Sequence, residues 1–81
     1  MESVVVDTLT AAQCRMARAG LGLSVTDAAR ASLVSRASII RFENGSDLKS
    51  VLRQALRAAF EKRGAVFTQV GVEIVNSEAA Q

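Results

Sequence analysis

Between Leu21 and Gly45 this chain has room only for short helices, because stop and start signals follow one another closely. Gly22 can close a helix in the left-handed conformation. Ser24 can start the next, with Asp27 three residues on as a short-armed capping box. Ser35 offers a further cap, and Asn44-Gly45 is a stop followed by a turn. The spacing therefore predicts helices over residues 25–32 and 36–43, joined only through Leu33, Val34 and Ser35. A connection that tight sets the second helix steeply against the first and leaves its outer side protruding. On that helix Ile39 and Phe42 would face the core, while Arg36, Ala37, Ile40 and Arg41 look outward.

The flanking segments supply the rest of a small helical domain. Thr10 can cap a first helix over residues 11–21, which is dense in strong helix formers. Cys14 recurs there at helical spacing with Ala17 and Leu21, as a buried hydrophobe would. Ser46 or Asp47 is expected to open a fourth helix ending at Gly64. Its apolar stripe, from Leu48 and Val51 to Ala59 and Phe60, serves as core or as a dimer seam. Residues 66–68 and 72–75 then read as two short strands of a hairpin, turning near Gln69 and Gly71. Residues 1–9, with valines at 4, 5 and 6, suggest an arm or strand able to join it, and residues 76–81 suggest a disordered tail. The expected domain limits are thus 10–64 for the helical part and 65–75 for the hairpin.

Composition narrows what such a domain can do. The chain has 81 residues, 49% of them hydrophobic and none proline, enough for a core that is marginal alone and gains from oligomerisation. One cysteine and no histidine leave few metal or nucleophile options, so an enzyme is a distant reading and no cofactor is expected. No apolar run approaches a membrane span and the N-terminus lacks a signal-peptide pattern, which makes the cytoplasm the default compartment. The net charge of +2 conceals an uneven distribution. Residues 33–64 hold seven bases against three acids, whereas residues 65–81 hold only Glu73 and Glu78. Such a basic segment attracts phosphate. Lys49, Arg53 and Arg57, four apart, would form one basic stripe, in which Lys49 lies nearest the protruding helix. Lys62 and Arg63 complement the dipole at the end of the fourth helix.

The run Val34-Ser35-Arg36-Ala37-Ser38-Ile39-Ile40-Arg41-Phe42-Glu43-Asn44-Gly45, preceded by Leu21-Gly22-Leu23-Ser24 and Ala28-Ala29-Arg30-Ala31, resembles the Cro/CI (XRE) family of phage and bacterial repressors. The resemblance implies a four-helix, lambda-repressor-like helix-turn-helix domain that binds double-stranded DNA. It implies that Arg36, Ala37, Ile40 and Arg41 meet base edges in the major groove. Ser24, Ser35, Ser38, Asn44 and Lys49 would meet phosphates, helped by the amides near Asn44 and Gly45. Arg18 and Glu43 match a pair that is a buried salt bridge in some members. Two positions depart from the family. Val25 replaces a common glutamine and cannot hydrogen-bond through its side chain. Leu33 replaces a common glycine in the left-handed turn, so either the turn differs or packing offsets a strain of about 1–3 kcal/mol.

A palindromic operator needs two such helices, one in each of two successive grooves, so a homodimer is expected. The hairpin residues Val66, Phe67, Val72 and Ile74 are the candidate dimer surface, since two short strands are not stable alone and leave an unpaired edge. A transcriptional repressor or control factor with no small-molecule effector is the first expectation. A protein-interaction module of the antitoxin or antiactivator type, which Val25, Leu33 and Ile40 favour, is the second.

Overall fold

A computed structural model describes residues 9–75, and the expected N-terminal strand at residues 4–6 and the tail at 76–81 lie outside them. Four helices are followed by one hairpin: α1 Ala11–Leu21, α2 Val25–Ser32, α3 Arg36–Glu43, α4 Ser50–Lys62, β1 Ala65–Phe67 and β2 Val72–Ile74. The fold is mainly α with a short C-terminal antiparallel hairpin, as the sequence predicts. None of the described helices is long and apolar enough to cross a membrane.

Local chemistry explains where the first three helices begin. Thr10 and Gln13 form a reciprocal capping box on α1, Oγ1 accepting from the Gln13 amide at 3.0 Å and Gln13 Oε1 from the Thr10 amide at 3.1 Å. Ser24 and Asp27 do the same on α2, at 2.9 and 3.0 Å. Ser35 caps α3 by accepting from the Ser38 amide.

The turn between α2 and α3 is left-handed at the position held by a leucine. Leu33 is left-handed, with φ 65° and ψ 24°, and is the one non-glycine residue with positive φ among those described. Packing does not offset the strain, because the side chain is 89% exposed. What holds the conformation is hydrogen bonding around it. The Leu33 amide donates to the Ala29 carbonyl, and the Ser32 hydroxyl donates to the Ala28 carbonyl while accepting from the Val34 amide.

α4 starts at Ser50 instead of Ser46 or Asp47. The amides of Gly45 and Ser46 turn back to the Phe42 and Arg41 carbonyls to finish α3. Leu48 then dives into the core and Lys49 is extended, so no helical register survives from 46 to 49. Leu48, just before α4, and Leu56, Ala59 and Phe60 within it are buried, with Leu52 and Ala55 packed against the core, but Val51 stands 65% exposed.

The core joins all six elements, with Cys14, Ala28, Ile39, Leu56 and Phe60 fully buried. The hairpin pairs Ala65 with Ile74, Val66 with Glu73 and Phe67 with Val72, one residue earlier in its first strand than the sequence suggests. Phe67, Val72 and Ile74 pack against the core, and Val66 faces away. Gly20 allows the close approach on which this depends, since a Cβ there would stand 2.7 Å from Ile74 Cγ1.

Candidate nucleic-acid interface

The segment that matters is held from behind. Ile39, Phe42 and Glu43 turn the inner side of α3 into the protein, with Ile39 fully buried. Arg18 of α1 grips Glu43 with two parallel bonds, Nε to Oε2 at 2.9 Å and Nη2 to Oε1 at 2.8 Å. This is the ion pair implied by the resemblance, and its fork geometry is the strong kind. Arg18 also donates to the Leu23 carbonyl, Arg15 donates to the Glu43 carbonyl, and the Cys14 thiol donates to Glu43 Oε2 at 3.1 Å. Two guanidinium groups therefore meet the negative end of the α3 dipole.

The titration behaviour follows from these contacts. Burial pushes the Glu43 carboxyl upward, but the hydrogen bonds from Arg18 and Cys14 and the charges of Arg18 and Arg15 outweigh it, leaving the group below its usual range. Cys14 is raised beyond the ordinary thiol range by burial, by its hydrogen bond to Glu43 and by that carboxylate's charge. A thiol so placed is a structural donor with little thiolate character.

The other side of α3 faces solvent. Arg36, Ala37, Ile40 and Arg41 are all exposed, and their spacing of one and four residues places them on one side of the helix. This is the set named from the sequence. The five expected phosphate residues divide. Ser24, Ser35, Asn44 and Lys49 are exposed, whereas Ser38 is half-buried with its hydroxyl held by Ser35 at 2.9 Å. The amides of Asn44 and Gly45 are used within α3, donating to Ile40, Arg41 and Phe42 carbonyls. At those positions the exposed Asn44 side chain is the available group. The ionised Asp27 carboxyl, held low by hydrogen bonds from the Ser24 amide and hydroxyl, sits at the start of α2. It already occupies part of that helix end's positive potential.

The expected basic stripe does not form. Arg53 turns back to donate to the Leu48 carbonyl, and Arg57 pairs with Glu61 at 2.8 Å while lying 5.2 Å from the Phe67 ring centre. Of the three cations only Lys49 is exposed. On the hairpin, Val66 and Val75 flank Glu73 on the outward face, and the other three expected dimer residues face α1 and α4.

Three contributors escaped the sequence reading. Gln13 caps α1 and also sends Nε2 to the Thr68 and Gly71 carbonyls at 2.8 and 3.3 Å, tying the hairpin turn to α1. The Thr-x-x-Gln spacing carries its first role, but nothing local carries the second. Arg15 and Gly20 act only through partners distant in the chain. Comparison of the chain with family models, with curated proteins and with solved structures returns no match.

Proposed function

We propose that this protein is a sequence-specific, double-stranded DNA-binding transcriptional regulator, a repressor or control factor that binds a palindromic operator as a homodimer. The observation that carries the reading is the outward side of α3, where two arginines flank small and apolar side chains on a helix braced from behind by Arg18 and Glu43. A helix so presented suits the major groove, ~12 Å wide. Arginine forks suit guanine O6 and N7, and a methyl such as that of Ala37 suits thymine.

Footprinting on the DNA flanking the protein's own gene, followed by anisotropy titrations over a salt series, tests this. Arg41→Ala should cost about 1–3 kcal/mol on the operator and relax preference at one base pair per half-site, while Lys49→Ala should weaken operator and random DNA alike. Equal losses on both DNAs for Arg41→Ala would remove it as a base reader. The competing protein-interaction reading draws on the exposed Leu33, Ile40 and Val51. It predicts an affinity that scarcely responds to salt, where phosphate neutralisation makes the dependence steep.

A further inference from the structure

The loop of residues 45–49 connects α3 to α4 and carries Lys49, yet α4 has no side-chain cap to fix its start. The fixing group comes from inside the helix. Arg53, half-buried in the first turn and a half of α4, sends Nη1 back to the Leu48 carbonyl. The Lys49 carbonyl in turn accepts the amides of Leu52 and Arg53 at 2.9 Å each. Leu48 is itself buried, so its carbonyl is held on one side by core packing and on the other by a guanidinium. The same side chain carries the one buried side-chain nitrogen or oxygen without a hydrogen-bond partner among the described residues, Arg53 Nε. A long cation folded inward with one donor unsatisfied is an expensive means of holding one carbonyl. A neutral apolar side chain would serve packing better.

We infer that Arg53 is a positioning residue. By holding the Leu48 carbonyl it sets where Lys49 stands relative to α3, and it raises DNA affinity without touching the duplex. The inference rests on the DNA-binding reading above. It separates from that reading because the anchoring is measurable on the free protein.

The variant Arg53→Met keeps the apolar stem and removes both the anchor and the unsatisfied donor. Its melting temperature should be unchanged or higher, while amide exchange at Leu52 and Arg53→Met itself speeds up in the absence of DNA. Operator affinity should fall about tenfold. The slope of log affinity against log salt should fall no further than it does for Lys49→Ala, since the one phosphate contact weakened is that of Lys49. In a Lys49→Ala background the same substitution should cost little, because the residue it positions is gone.

A salt slope that Arg53→Met makes shallower by a further ~0.9 in the Lys49→Ala background would make Arg53 a direct phosphate contact and overturn the inference. So would losses that simply add in the double variant, unaltered amide exchange, or a fall in melting temperature large enough to account for the lost affinity. Faster exchange in a protein that never binds duplex would instead sink the DNA-binding reading and leave the anchor standing.

Discussion

At the scale of single residues, two side chains are held in costly states for different reasons. Leu33 adopts a backbone conformation that costs an L-residue about 1–2 kcal/mol, and its exposed side chain recovers none of it. Leu33→Gly should therefore stabilise the fold by about 1 kcal/mol, after allowing for the greater freedom of glycine in the unfolded chain. A urea denaturation series checks this, and a loss of stability would mean that the leucine makes contacts absent from the folded monomer. Glu43 is a buried carboxylate made tolerable by Arg18. Its native pKa lies below the ordinary 4.5, so its contribution is complete above that value and is lost as pH falls through the depressed native one. Glu43→Gln should cost about 2–3 kcal/mol at neutral pH, discounted for the partial exposure of Arg18. The cost should shrink on acidification below pH 4.5, which melts recorded at several pH values would follow.

At the scale of elements, the junction of α1 with the hairpin decides how the C-terminal third is placed. Helix propensity alone would make Gly20→Ala a gain of about 1 kcal/mol. The close approach of Ile74 reverses the sign, because the new methyl would stand 2.7 Å from Ile74 Cγ1 and must push that packed side chain aside. A net loss of about 1–2 kcal/mol is expected, with part of it recovered by adding Ile74→Val. Double-mutant thermal melts measure that coupling, and simple additivity would show that the Ile74 side chain moves aside freely. The same junction shows how a polar residue acts twice, since Gln13 closes the start of α1 and satisfies two carbonyls of the hairpin turn.

At the scale of the whole molecule, the hairpin is part of the domain and not an appendage. Phe67, Val72 and Ile74 close the core, so removing residues 65–81 would expose it and confound any test of assembly. The outward face can be altered without that damage. If the operator-binding dimer forms there, Val66→Glu should shift the protein from dimer to monomer in sedimentation equilibrium with little change in melting temperature. It should also reduce operator affinity far more than binding to a single half-site. A variant that stays dimeric would move the interface elsewhere, to a surface such as that around Val51 on α4.

The sequence by itself determined the helices wherever the deciding interactions are local. Thr10, Ser24 and Ser35 cap within three residues, and Gly22 and Gly45 take the positive φ that ends α1 and α3. The outward set on α3 followed from helical periodicity, and the Arg18–Glu43 pair from resemblance alone. Only the tertiary structure decided the rest. Whether a cation on α4 faces solvent depends on where Leu48 and Phe67 lie, so Arg53 and Arg57 fold inward while Lys49 does not. The start of α4 depends on Leu48 reaching the core, and the role of Gly20 on a strand more than fifty residues away. Short-range hydrogen bonds are written in neighbouring residues; packing and long-range carbonyl partners exist only once the chain has closed on itself.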